Sequence, residues 1–168
     1  KDEAFLDVHD NIVWLDNTKS FTWTSEKDGW MHLYKVSRDG KEMKLITKGN
    51  FDVIEIAVVK EFEGYVYYYA SPGNATQKYL FRSKLNGDGL PERLTPVDQP
   101  GTHSYTISPK ADFAYHSFSN HKVPYITESI QLSTHKNAGG QSKIADAVVQ
   151  SASRKSALEF FKVKTEQG

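Results

Sequence analysis

Histidine, serine and carboxylate side chains are the groups in this chain that could do chemistry, and their spacing decides how far that goes. There are six histidines, His9, His32, His103, His116, His121 and His135. Imidazole is the usual proton carrier near neutral pH and a common metal ligand. No two of them stand at the H-x-x-x-H or H-E-x-x-H spacing that puts two ligands on one helix face. His103-Ser104 and His116-Ser117 set a histidine beside a serine, but neighbours on a strand point to opposite faces, so neither pair can pass a proton directly. A serine nucleophile of the α/β-hydrolase kind needs a G-x-S-x-G elbow, followed along the chain by an acid and a histidine. Gly101-Thr102-His103-Ser104-Tyr105 comes nearest, lacks the second glycine and runs into strand-like sequence. Phosphate-cradling glycine loops are missing, and the absence of cysteine removes thiolate nucleophiles, disulfides and Cys-based zinc sites. No residue is therefore assigned a catalytic, cofactor-binding or metal-binding role. No cofactor is expected, and substrate-binding residues are unassigned.

The remaining polar words have plain readings. Glu26-Lys27-Asp28-Gly29 and Lys60-Glu61-Phe62-Glu63-Gly64 read as solvated hairpin turns. Asn74-Ala75-Thr76 matches a three-residue glycosylation acceptor, meaningful only in a eukaryotic secretory setting. Lys plus Arg and Asp plus Glu both number 21 among 168 residues, so the chain lacks the basic footprint of a nucleic-acid binder. No apolar run approaches the roughly 20 residues that cross a bilayer. The chain opens at Lys1 with no visible signal peptide, as a processed chain would.

What must position these groups is a set of strands. Nine Tyr, nine Phe and three Trp give a bias typical of β-structure. Phe21-Thr22-Trp23-Thr24-Ser25, Tyr67-Tyr68-Tyr69-Ala70-Ser71 and Phe113-Ala114-Tyr115-His116-Ser117 repeat aromatic-x-aromatic-x-Ser at an offset of 46 residues. Each copy alternates with period two, which places its aromatics and its serine on one face of a strand. A turn and a second strand follow each copy, at His32 to Val36, Tyr79 to Ser83 and Pro124 to Ile126. Gly-bearing turns at Arg38-Asp39-Gly40 and Asn86-Gly87-Asp88-Gly89 lead to short closing strands ending in Leu45-Ile46-Thr47 and Arg93-Leu94-Thr95. Short antiparallel strands in units of about 45 residues are the signature of a β-propeller blade. The fold class is thus all-β: a partial propeller of about two and a half to three blades over residues 1–132. Too few units are present to close a ring, so a fragment is expected.

After Leu132 the pattern changes, and residues 133–168 read as a separate stretch. Ser133 to Gln141 has loop or linker composition with Gly139-Gly140. Ser142 can cap a short helix through Ala152, with Ile144, Ala145, Val148, Val149 and Ala152 on one stripe. Glu159 to Thr165 reads as one more strand.

The run Phe21 to Tyr34, then Leu45-Ile46-Thr47-Lys48-Gly49-Asn50-Phe51-Asp52-Val53-Ile54-Glu55-Ile56, resembles the late propeller blades of the dipeptidyl peptidase IV family, within the prolyl oligopeptidases and of bacterial type. Gly101 to Tyr105, Ile107 to Phe113 and His116 to Asn120 are similar as well. The likeness covers Asp16 to about Leu132, with a weaker match through Glu159-Phe160-Phe161-Lys162. It implies a secreted or periplasmic serine exopeptidase whose propeller caps an α/β-hydrolase domain and admits only short peptides. The hydrolase would release dipeptides, or tripeptides in some relatives, after proline or alanine, and a homodimer is possible. By that pattern the triad lies after Gly168 and the paired glutamates that hold the substrate's amino terminus lie before Lys1. The Arg-Phe-Arg edge of some members would fall near Phe5 to Asp10, where Phe5-Leu6-Asp7-Val8 does not reproduce it. The implied partners are peptide substrates through the whole enzyme and its own hydrolase domain. On the residues alone, a propeller that binds a protein or glycan partner and an autonomous β-sandwich stay open.

Overall fold

The computed structural model describes residues 12–152 together with 161, 163 and 164. Twelve strands form three four-stranded antiparallel sheets, each a meander in chain order. The first sheet holds β1 (Trp14–Leu15), β2 (Ser20–Ser25), β3 (His32–Ser37) and β4 (Met43–Leu45). The second holds β5 (Val53–Lys60), β6 (Tyr65–Ala70), β7 (Tyr79–Lys84) and β8 (Glu92–Arg93). The third holds β9 (Thr102–Ile107), β10 (Phe113–Ser119), β11 (Ile126–Gln131) and β12 (Lys136–Asn137). Three repeated meanders packed face to face are a partial propeller, as the repeat predicts. The fourth strand of the third sheet lies at Lys136–Asn137, inside the stretch expected to be loop. It is two polar residues long, too short to show a period, and it pairs with Ile130 and Gln131.

The second sheet is apolar on both faces because it is packed on both. Val66, Tyr68, Ala70, Tyr79 and Phe81 join Leu15, Leu33 and Ile46 of the first sheet in one core. Tyr67, Tyr69 and Leu80 join Tyr105, Ala114, Ile130 and Leu132 of the third in another. Two apolar faces in one strand give a continuous buried run, which is how Val66 to Ala70 reads. Backbone bonds also tie adjacent sheets: Val53 N–H donates to Met31 O at 2.7 Å, His103 N–H to Lys78 O at 3.0 Å and Lys78 N–H to Gly101 O at 3.1 Å.

The repeated closing words have a structural reason. Thr47 and Thr95 are buried just past the ends of β4 and β8. Thr47 Oγ1 accepts the N–H of Leu33, and Thr95 Oγ1 accepts that of Leu80, both at 2.9 Å. Each threonine thus satisfies a donor near the start of the third strand, where the short fourth strand has run out, a donor that would otherwise be buried unpaired.

These anchors give the true equivalence between sheets, which differs from the 46-residue offset. Leu33 pairs with Thr24 and Leu80 with Tyr69, so the second strands match at a spacing of 45. Val53 and His103 donate equivalent N–H bonds to the preceding sheet and pair with Ala70 and Phe118, a spacing of 48. The aromatic-x-aromatic words lie on corresponding strands but are out of step. A one-residue slip reverses a face. Tyr67 and Tyr69 accordingly face the next sheet, whereas Thr24 and Leu33 do so in the first sheet, leaving Trp23 exposed on its outer face.

Helix α1 (Lys143–Ala152) forms where expected and Ser142 caps it, its Oγ accepting the Ala145 N–H at 3.1 Å. Ile144, Ala147 and Val148 pack with Phe118, Val123 and Ile126. Val149, placed on the apolar stripe by spacing, is instead 74% exposed. The strand expected over Glu159 to Thr165 falls largely outside the described residues. The β1–β2 hairpin tip is unusual, because Asp16, Asn17 and Thr18 adopt φ of 52°, 52° and 65° in succession. Lys35 Nζ holds the Asp16 carboxylate at 2.7 Å, and the Arg38 guanidinium donates to Thr18 Oγ1 at 3.2 Å.

Two substitutions test this account. Leu80→Ala should lower unfolding stability by about 2–5 kcal/mol in urea titration, because Leu80 is fully buried between the second and third sheets. Thr95→Val keeps the volume but strands the Leu80 donor, and should cost about 1–3 kcal/mol.

Candidate functional site

Two places bring polar side chains together. The first is a cleft of about 950 Å³ at one end of the second and third sheets, lined by Asn74, Thr76, Gln77, Thr102, Asn120 and His121, with Phe161 at its edge. Its polar groups are largely committed to the fold. Asn120 Oδ1 accepts the N–H groups of Lys122 and Val123, both at 2.8 Å, while its amide donates to Pro100 O at 2.9 Å. Asn74 Oδ1 accepts from Thr76 N–H and Thr76 Oγ1–H, at 3.0 and 2.7 Å, so the possible glycosylation triplet is an exposed, self-bonded turn. Gly101 sits beneath the cleft because nothing larger fits: a Cβ there would lie 2.6 Å from Phe118 Cε2 and from Ser119 O.

The second place is buried. His103 and His116 are fully buried on adjacent strands of the third sheet, stacked with centroids 5.1 Å apart. Tyr105 stacks on His116 at 4.4 Å, and His135 meets His116 edge-on at 4.7 Å. The hydrogen bonds fix the tautomers. His103 Nε2 lies 2.8 Å from Gln99 O, which can only accept, so that nitrogen carries the hydrogen. His103 Nδ1 is then the acceptor of the 2.8 Å bond from His116 Nε2–H. That leaves His116 Nδ1 as a bare lone pair, buried with no hydrogen-bond partner. Tyr105 Oη lies 2.9 Å from Thr95 Oγ1 and 2.8 Å from His135 Nε2, which extends the network into the second sheet.

Burial keeps these rings neutral. Loss of water pulls the pKa of His103 down to about 4 and that of His116 down to about 2, with their mutual proximity to His135 adding to both. His135 is lowered as well, mainly by burial. His32 shows the contrast: its Nε2–H donates to Gly49 O at 3.0 Å and its Nδ1 accepts from Thr47 Oγ1 at 3.1 Å, so both nitrogens are satisfied. Next to the histidines, buried Glu128 is the cross-strand partner of His116. Its carboxylate accepts from Ser142 Oγ at 2.9 Å, from Asn137 Nδ2 at 2.9 Å and from Ile144 N–H at 3.4 Å, and so receives the N-terminus of α1.

Sequence spacing did not foresee this grouping. His103 and His116 are 13 residues apart on paired strands, and only the hairpin register, in which Tyr105 faces His116 and His103 faces Phe118, makes them neighbours. Ser104 and Ser117 oppose each other on the other face of that sheet. His121 lines the cleft, and His9 and the stretch Phe5 to Asp10 lie outside the described residues. Among the described residues no three His, Cys, Asp or Glu side chains are placed to hold a metal ion. No helix among them is long and apolar enough to cross a membrane.

The sequence profile of the dipeptidyl peptidase IV (DPP IV) N-terminal region matches residues 1–125. A protein described as "Probable dipeptidyl-aminopeptidase B" from Aspergillus oryzae is 31% identical over 100 residues, 58% of this chain and 11% of its own length. The dipeptidyl-aminopeptidase B of Aspergillus niger is 26% identical over the same shares. The chain therefore spans about a tenth of the length of the relatives it matches. The crystal structure of Porphyromonas gingivalis dipeptidyl peptidase 4 superposes with a TM-score of 0.61 at 22% identity, over 74% of this chain and 17% of that one. This likeness confirms the fold.

Gly101→Ala should destabilise the chain by about 1–3 kcal/mol, because the ring of Phe118 and the Ser119 carbonyl must both move. Ser119→Ala, which alters the cleft wall while leaving its backbone carbonyl in place, should stay within about 0.5 kcal/mol. Thermal unfolding of both variants checks the contrast.

Proposed function

The chain belongs to the dipeptidyl peptidase IV N-terminal region family, and from that premise we propose that it is a run of blades that walls and gates the active site of a serine exopeptidase. The parent enzyme would release dipeptides, or tripeptides, from peptide N-termini after proline or alanine. Its nucleophile, acid and base would be supplied by a hydrolase domain.

One observation supports the reading above the others: the two end sheets are unfinished in complementary ways. The second sheet is covered on both faces, but the outer face of the third carries Phe113 and Tyr115 at 53% and 62% exposure. The outer face of the first carries Trp14 and Trp23, with Arg38 over the Trp14 ring at 5.5 Å. Aromatic faces of this size on a soluble domain are seams for a neighbour, and further blades of the same polypeptide would supply one. A rigid wall of such blades excludes folded proteins by size and admits short chain ends. A secreted or periplasmic location and a homodimer go with this reading.

The whole protein should cleave a Gly-Pro chromogenic peptide and lose that activity to a serine-directed phosphonate, while residues 1–168 alone should cleave nothing. A whole protein that folds, leaves the peptide intact and instead binds a protein or glycan would be a recognition module. In the whole protein Tyr115→Ala should cost about 3–5 kcal/mol, the cost of truncating a buried aromatic, against less than about 1 kcal/mol in the isolated chain. Equal small losses in both would count against a covering blade.

A further inference from the structure

We propose that the stacked His103, His116 and His135 form a proton-operated latch, which at neutral pH holds the third sheet against the second and helix α1 against the third, and loosens both contacts in mild acid.

The geometry carries this in three steps. First, the chain of bonds from Gln99 O through His103 to His116 has no comfortable protonated form. A proton added to His103 Nδ1 would either face the His116 Nε2–H across 2.8 Å, two donors opposed, or drive the His116 hydrogen round to Nδ1. Second, a proton added to His116 Nδ1 meets no acceptor, since that atom is buried without a partner. Third, the surroundings offer little to offset the charge. Arg93, from β8, acts against charging His103 and lies over the Tyr79 ring at 3.7 Å. Lys78 lies over Tyr69 at 4.5 Å. Burial raises the pKa of the Tyr69 and Tyr105 hydroxyls, so neither supplies a negative charge. Asp98 and Glu128 are the acids whose charge favours a charged His135.

Glu128 links the protonation to movement. Its carboxylate already receives Ser142, Asn137 and the Ile144 N–H. A charged His135 competes for that carboxylate and weakens the seat of α1. The Gln99 carbonyl, the other end of the chain of bonds, lies in the connection between the second and third sheets. Proton uptake therefore acts on the contact between sheets.

The direction with pH follows from burial. A group whose pKa is lower in the closed state than in the open one favours opening as the pH falls. For His103 the closed value is about 4 and the open value about 6.5. The closed state is fully favoured above about pH 6.5, and the preference is lost progressively down to about pH 4. At pH 5 the opening equilibrium rises about 30-fold through this one residue.

Hydrogen exchange on the whole protein tests the latch, with rates corrected for the intrinsic pH dependence of exchange. Between pH 7.5 and pH 5, amides of Thr102–Gln131 and of α1 should lose protection by about 30-fold or more. Those of Ser20–Leu45 should change several-fold at most. Equal losses in the two regions would mean ordinary acid unfolding and would overturn the proposal, as would unchanged protection of the third sheet. The double variant His103→Gln/His116→Gln retains donors toward Gln99 O and residue 103 but does not titrate, and should flatten the response. If that variant does not fold, the comparison of sheets in the unaltered protein still decides.

Discussion

Each sheet of this chain has two faces to bury and can bury neither alone. Everything else in the structure follows from that constraint. A repeated four-stranded meander cannot bury its apolar faces until neighbouring sheets stack on it, and here the second sheet is completed by its neighbours while the first and third are each covered on one side. Side chains that would be surface residues in an ordinary two-layer sandwich, such as Tyr67, Tyr68 and Tyr69 in succession, are all interior.

The same constraint explains the polar chemistry inside. Strands of two or three residues, such as β4, β8 and β12, leave backbone donors without a ladder. Thr47 and Thr95 meet those donors from the side, and a helix N-terminus is met by Glu128. These interior polar groups are adaptations of a stack whose outermost strands are too short to complete it. The His103–His116 pair goes one step further, since it leaves one acceptor unmet in a place where water is excluded.

How much of this could be read in advance depended on the residue. The strands marked by the aromatic words before Leu132 and the family resemblance came from long aromatic words and turn glycines, and they survive. The register did not, because aromatic-x-aromatic recurs whichever face it serves: a one-residue shift at Trp23 leaves the word intact and turns it outward. The better anchor was the less conspicuous Leu-Ile-Thr and Arg-Leu-Thr, whose threonine is tied to one backbone amide in both sheets. Two-residue β12 had no period to detect. The histidine stack was hidden because proximity across a hairpin depends on where the turn falls, and Ser108 to Asp112 had to be a five-residue connection for His103 to reach His116.

The strictly sequential order of the three sheets also bears on how the molecule is made. Pairing within a sheet joins residues close in the chain, so each meander can form soon after it is synthesised. The cover for its second face is encoded about one sheet further on. At a synthesis rate of roughly 5–20 residues per second, a nascent sheet waits on the order of seconds with Leu33 or Leu80 open to solvent or to a chaperone. The ribosome thus lays down a row of half-protected surfaces in order, each closed by the next to emerge. A pause in translation between blades would prolong the interval in which this chain is most prone to aggregate.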